Sequence, residues 1–330
     1  MIFLPNKMRI ANKFLVPKES ENQRIDQFCL KILPLIKRSD FFKYLRLGKV
    51  LLNKTKPQVN TRLKTKDEIA FLFDINPYLQ TNNDYLSLDL VKDKLKIIFE
   101  DENIIVVDKP TGIVCQPDKK HSIINLSNML LKHCGYRQFD SNKLNFYPQF
   151  AHRIDRNTSG IVIGAKTNKA LKELNKVFKN NHLTKRYKGL VFGQFNHLGL
   201  QTAYWKKDNN NGIVTVKWKP FPEAKKISTF FENSSYIAQK DMSLITIRLI
   251  SGRTHQIRAC LNLFSNQLVG DKKYSLIQFK NRNNKYKHQA LHAYELVFPK
   301  LETSKFPILT NYSLMQFKSK IVPWFEYLIQ

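Results

Sequence analysis

The chain has 330 residues, enough for two domains or one large domain with an appendage, and its 42% hydrophobic and 12% aromatic content excludes a disordered chain. Lys and Arg number 55 against 26 Asp and Glu, leaving a net charge of +29; such an excess repels itself unless it meets a polyanion, so nucleic acid is the expected partner. Cys29, Cys115, Cys134 and Cys260 are scattered without a C-x-x-C pair, which argues against a zinc site or disulfide framework, and no apolar run is long enough for a membrane span or secretory signal, so a cytoplasmic protein is expected.

In chain order, residues 1–20 carry little pattern and read as an N-terminal arm. The run RIDQFCLKIL (24–33) sets Ile25, Phe28, Cys29 and Ile32 on one face at helical spacing. A second short helix is predicted with Ser39 as its N-cap, burying Phe42 and Leu45 and stopping at Gly48. VLLN (50–53) and DEIAFLF (67–73) read as short strands joined by a basic loop. Residues 21–75 thus make a small α/β unit, and 76–94, which lack periodicity, a linker to a larger domain over 95–330.

The larger domain is strand-rich. Residues 97–110 read as two strands around an acidic turn, ended by Pro110 and Gly112. Helices are predicted over 122–134 and from Thr167, whose side chain can cap the second; Leu171, Leu174 and Phe178 would share its face. RYKGLVFG, VTVKW, SLITIRLI and YELVF read as strands of a mixed sheet. Strands and helices do not alternate regularly, so the expected class is α+β rather than doubly wound α/β.

The chemistry-bearing segment is AHRIDRNTSGIVIGAKT (151–167). It sets Asp155 between Arg153 and Arg156, ahead of a turn-forming Asn-Thr-Ser-Gly and a buried strand, IVIGA. Opposite charge nearby favours a carboxylate's charged form, and the pattern taken alone fits a structural ion pair as well as a catalytic group. The segment resembles the H-R-L-D-R-D-T-S-G-L-L-L-x-A-K-T motif of the RluA-type pseudouridine synthases, with Asn157 in place of an Asp and isoleucines for leucines. KRYKGLVFG (185–193) resembles that family's K-x-Y-x-A-x-V-x-G, with Tyr187 at the tyrosine. SGRTHQIRACL (251–261), followed by VGDKKYS and LHAYELVFP, resembles G-R-T-H-Q-I-R-x-H-L; Ala259-Cys260 departs from the family's apolar residue and His. KPTG (109–112) also fits, while CQPD (115–118) departs from V-H-P-G. Upstream, R-I-D-Q-F, S-D-F-F-K-Y-L-R-L-G-K-V-L-L-N and K-D-E-I resemble the S4 RNA-binding domain.

This resemblance, over about residues 20 to 300, implies a mostly antiparallel catalytic sheet preceded by an S4-like domain. It implies a cofactor-free, metal-free isomerase acting on RNA; a monomer is the default expectation, since the sequence is silent on oligomeric state. Asp155 would be the catalytic carboxylate and Arg258 its partner. Tyr187 would stack on the freed uracil and assist loss of the C5 proton. Asp155 either attacks C1′ or takes a proton from C2′; an isomerisation without water needs one carboxylate where hydrolytic glycosidases use two. The uridine must leave its stack to react, and Arg153 either fills the vacated space or clamps a phosphate, with Arg156 beside it. Lys37, Arg38, Lys43, Arg46, Lys49 and Lys54 of the S4-like unit would meet phosphates. His152 and His255 read as structural, and Thr254 and Gln256 as builders of the turn presenting Arg258. The S4-like unit points to 23S rRNA, and Lys56-Pro57 with the basic insertion 279–287 points to the RluC/RluD branch. The rivals are a tRNA pseudouridine synthase and a non-catalytic RNA-binding ribosome-assembly protein. The intact Asp155, Tyr187 and Arg258 set argues against the latter.

Overall fold

A computed structural model of the chain describes residues 12–33, 35–78, 88, 91, 94–117, 124–136, 146–208, 212–320 and 323–328. Most of the expected linker (76–94), Asp118 of CQPD and the first residues of the helix predicted over 122–134 lie outside them. The chain divides into two compact units, residues 1–90 with 135–147, and residues 91–134 with 148–330.

The first unit holds β1 (Asn12–Leu15), α1 (Ile25–Ile32), α2 (Arg38–Arg46), β2 (Val50–Leu52) and β3 (Glu68–Phe71). Its strands form an antiparallel sheet in the order β1-β3-β2. The predicted face of α1 is the buried one: Ile25, Phe28, Cys29 and Ile32 pack with Phe41, Leu45 and Phe71. Three expectations change. The patternless arm contributes β1, a strand too short to show period-two alternation. Helix α2 starts at Arg38 with Lys37 at the cap and no side-chain capping bond, so Ser39 lies inside the helix. Its buried residues are accordingly Phe41 and Leu45, with Phe42 half-buried. Residues 76–78, assigned to the linker, make a 3-10 turn whose Tyr78 hydroxyl lies 3.2 Å from that of Tyr44 on α2.

The second unit runs β4 (Lys96–Glu100), β5 (Ile104–Lys109), α3 (Leu126–His133), β6 (Gln149–Phe150), β7 (Ser159–Ala165), α4 (Asn168–Lys179), β8 (Thr184–Phe192), β9 (Gly199–Lys207), β10 (Val214–Lys217), β11 (Lys225–Ile237), β12 (Met242–Leu249), α5 (Gln256–Leu261), β13 (Leu291–Val297) and β14 (Gln316–Lys318). An eleven-stranded sheet follows the order β10-β9-β11-β12-β8-β13-β7-β5-β4, with β14 on β13 and β6 on β7. The β7–β13 pair is parallel and the other pairs are antiparallel. The unit is therefore the mixed, mostly antiparallel α+β fold that was expected. Strands β9 and β11 escaped sequence reading because lysines, serines and an asparagine break their apolar alternation.

Helix α3 begins at Leu126, where the Asn125 side chain accepts the Asn128 N–H. Thr167 caps α4 as predicted, accepting the Ala170 N–H. The inner face of α4 is Ala170, Glu173, Leu174 and Val177, rotated from the predicted one. A glutamate is tolerated there because its carboxylate accepts the backbone N–H groups of Ile308 and Leu309. No helix among the described residues is long and apolar enough to cross a membrane.

One row across the sheet positions the site. Lys109 on β5 faces Gly160 on β7, which faces Ala293 on β13, Tyr187 on β8 and Ile247 on β12 in turn. The parallel crossing is so close that a β-carbon on Gly160 would lie 2.1 Å from the Ala293 carbonyl oxygen, and its φ of +109° disfavours any other residue. Gly160→Ala should therefore lower unfolding free energy by more than about 2 kcal/mol, read as a reduced urea midpoint at unchanged slope.

Candidate active site

Asp155 sits on the loop between β6 and β7, and that loop is fastened from three sides. The fully buried Lys109 ammonium donates to the carbonyls of Pro110, Ile113 and Arg156 at 2.8, 2.8 and 2.9 Å. Burial pulls its pKa down to about 8, while the nearby Cys115 and Asp155 favour its charge. Cys115 donates its thiol to the Ile154 carbonyl at 3.4 Å. On the other flank the His152 ring stacks on Phe178, centroids 4.7 Å apart, and its Nε2 accepts the Ile163 N–H at 3.1 Å. Burial first, and Lys185 second, pull that imidazole down to about 3. It is a neutral structural acceptor, as its sequence context suggested.

Arg258 reaches the loop from α5. Gln256 builds the preceding turn. Its Oε1 accepts the Ser251 hydroxyl and the Arg253 N–H, and its Nε2 donates to the Ser228 carbonyl and the Thr229 hydroxyl. Arg258 Nη1 then donates to Asp155 Oδ2 at 2.8 Å. Its Nε and Nη2 form a fork on Asp271 at 2.7 and 2.8 Å. Asp271 is itself buried, and its Oδ1 also accepts the Lys273 and Tyr274 N–H groups. The Tyr274 ring lies under the guanidinium at 5.1 Å. Burial works against the guanidinium's charge, but the bonds and charge of Asp271, then Asp155, outweigh it and raise its pKa above the usual value.

Tyr187 projects from β8 into the same cleft. Burial, then the Asp155 charge and Cys115, push its phenol well above the usual range, so it is protonated at neutral pH. The cleft measures about 390 Å³ and is lined by Asp155, Tyr187, Arg258, Arg153, His255 and Leu249 among others. That volume suits a small ligand. The fold thus brings Asp155, Tyr187 and Arg258 together across 103 residues. Arg153 lines the cleft with an exposed side chain, and Arg156, also exposed, contributes its carbonyl to Lys109. The ion pair of Asp155 is thus made with the distant Arg258. In the first unit Lys37, Arg38, Lys43, Arg46 and Lys54 are exposed on or near α2, whereas Lys49 is half-buried with its ammonium 5.7 Å from the Tyr44 ring centroid.

Sequence reading gave no role to Asp271, Tyr274 or Lys109. Their signals were present in VGDKKYS and KPTG, yet a buried ion pair and a lysine bonded to three carbonyls leave no mark on local periodicity. Chemically, the site offers a carboxylate pinned at one oxygen and an aromatic ring beside it, in a cleft that opens to solvent past Arg153. Among the described residues, no group of three or more His, Cys, Asp or Glu side chains is placed to hold a metal ion.

A family model for RNA pseudouridylate synthases matches residues 103–263. An uncharacterized RNA pseudouridine synthase of Mycoplasma pneumoniae is 62% identical over 96% of this chain and 98% of its own. Ribosomal large subunit pseudouridine synthase D of Blochmanniella floridana is 29% identical over 87% of this chain and 89% of its own. The solved structure of human RNA pseudouridylate synthase domain containing 4 matches 70% of this chain and 90% of its own with a TM-score of 0.51 at 18% identity, a likeness of fold.

Removing Asp271 leaves a buried guanidinium with half its partners. Asp271→Ala should cost about 3–5 kcal/mol in urea unfolding, and Asp271→Asn, which keeps the shape, should cost less.

Proposed function

Because the chain belongs to the RNA pseudouridine synthases of the RluA type, we propose that it isomerises uridines of large-subunit ribosomal RNA with Asp155 acting on the ribose. One observation carries the residue roles. Arg258 holds Asp155 through Oδ2 at 2.8 Å in the wall of the cleft, and Oδ1 is left for the substrate. Pseudouridine formation breaks the N1–C1′ bond, turns the base, joins C5 to C1′, releases the C5 proton and leaves N1 protonated. Attack on C1′ and proton abstraction from C2′ both put Oδ1 against the ribose.

Tyr187 supplies a ring for the freed uracil to stack on. Its phenol is neutral, so any proton it takes from C5 must be matched by release of its own. Arg153 stands exposed at the cleft, where a flipped nucleotide enters.

Support for a ribosomal target comes from relatives named ribosomal large subunit pseudouridine synthase D and C, 29% and 28% identical to this chain. The exposed cations along α2 fit a phosphate-tracking role for residues 21–75, read here as an S4-like RNA-binding domain. The first domain takes in residues 76–78 through the Tyr78–Tyr44 contact, and the catalytic domain is read as residues 95–330. The arm 1–20 adds β1 to that first domain's sheet.

Incubation with unmodified 23S rRNA, followed by carbodiimide treatment and primer extension, should give discrete stops that vanish in Asp155→Ala. Stops on an unmodified tRNA pool instead would overturn the ribosomal target and keep the chemistry. The double variant Lys43→Glu/Arg46→Glu should weaken binding to the same rRNA and flatten the dependence of log K on log salt by about 0.7–0.9 per lost contact. Its single-turnover rate at saturating RNA should stay within about twofold of wild type, since phosphate contacts position the RNA and take no part in the bond-making step.

A further inference from the structure

His255 has no part in the reaction as derived so far, yet it is the second charged or titratable side chain against the Asp155 carboxylate. Its Nε2 lies 3.7 Å from Oδ1, the oxygen that Arg258 does not take. That separation is too long for a hydrogen bond and short enough to become one with a small movement. The imidazole is placed deliberately: His255 adopts a left-handed φ of +53° at the start of α5, a conformation unusual for a residue with a β-carbon.

The hydrogen bonds around Tyr274 favour one tautomer of the ring. The Val214 N–H donates to the Tyr274 hydroxyl oxygen at 3.2 Å, and that hydroxyl lies 2.7 Å from His255 Nδ1. Burial pushes the Tyr274 phenol up to about 12, so it keeps its proton and offers it to Nδ1. An imidazole that accepts at Nδ1 carries its hydrogen on Nε2. Burial first draws the imidazole down to about 4; Arg258 and Lys273 add to this, while Asp155 and Asp271 act in the opposite sense. Burial thus favours the uncharged ring, and with Nδ1 accepting from Tyr274 its Nε2–H would face the carboxylate oxygen that Arg258 does not take.

We propose that His255 is a positioning residue for Asp155: locked by Tyr274 as its Nε2–H tautomer, it closes onto Oδ1 when a uridine occupies the cleft, so that the carboxylate is held at both oxygens. The proposal rests on the assignment of Asp155 as the reacting carboxylate. Arg258 alone restrains one oxygen and leaves the carboxylate plane able to rock about that single bond. A second donor fixes its plane and thus the lone pair that meets the ribose. Neutrality matters, because a second cation would stabilise the carboxylate before reaction and blunt it as nucleophile or base.

The test has two readouts on the full chain. In protein labelled with ¹⁵N-histidine at neutral pH, the resonances lost in His255→Gln should show a protonated Nε2 and an unprotonated Nδ1. Tyr274→Phe keeps the ring under Arg258 and removes the hydroxyl, and should turn those signals into a tautomer mixture. For rate, tritium release is followed from [5-³H]uridine-labelled 23S transcript, or from a labelled tRNA pool if wild type acts there. His255→Ala should slow single turnover by about tenfold to a hundredfold, with RNA affinity within about twofold. His255→Gln, whose amide N–H falls near the position of Nε2, should recover much of the loss, and Tyr274→Phe should lie between. An Nδ1–H tautomer or an imidazolium in the wild type overturns the proposal. So does an undiminished rate in His255→Ala while Asp155→Ala is dead. If Asp155→Ala remains active, the assignment of the reacting carboxylate fails instead, and the proposal fails with it.

Discussion

A guanidinium offers five N–H donors in one plane, and Arg258 commits three of them to two carboxylates. The fork on Asp271 uses two, which fixes the plane of the group before Asp155 is considered. Neither partner would be stable in the interior alone: a lone buried carboxylate or guanidinium loses several kcal/mol of hydration that only a well-bonded counter-charge offsets. Once that pair exists, the remaining Nη1 has a defined direction, and Asp155 is met along it. A lysine could not do this, because an ammonium has no plane to fix. The turn built by Gln256 and the segment bearing Asp271 are thus constrained together, and the loop bearing Asp155 must come to them.

That loop is delivered by the sheet. Lys109, Gly160, Ala293 and Tyr187 occupy one row across four strands, so the lysine that staples the loop and the tyrosine in the cleft hold fixed positions relative to each other. The row works only because Gly160 lets β7 and β13 approach in parallel. The electrostatics follow the same geometry. Lys109 feels Asp155 through the loop it holds, and Tyr187 feels it across the cleft.

Much of this was legible in the sequence where the signal was local. The face of α1, the Thr167 cap and the strands of the VTVKW and YELVF segments depend on neighbours within a few residues, and periodicity reports those. The meeting of Asp155, Tyr187 and Arg258 was legible only through resemblance, since nothing in local pattern links residues so far apart. What failed was where a tertiary contact overrode a local preference. Glu173 faces inward on α4 because two backbone N–H groups 135 and 136 residues away require an acceptor. Local pattern alone set Asp155 between Arg153 and Arg156, and its pairing with Arg258, 103 residues away, was carried by the resemblance.

The span between Asp155 and Arg258 has a consequence for how the enzyme is made. The two are 103 residues apart, so at about 5–20 residues per second the carboxylate is synthesised roughly 5–20 s before the arginine. Strand β13 follows later still, with His292 emerging 133 residues after the Ser159 whose hydroxyl it meets at 2.8 Å. A nascent chain therefore holds Asp155 without its counter-charge, and β7 without its parallel neighbour, until the segments bearing Arg258 and β13 have emerged.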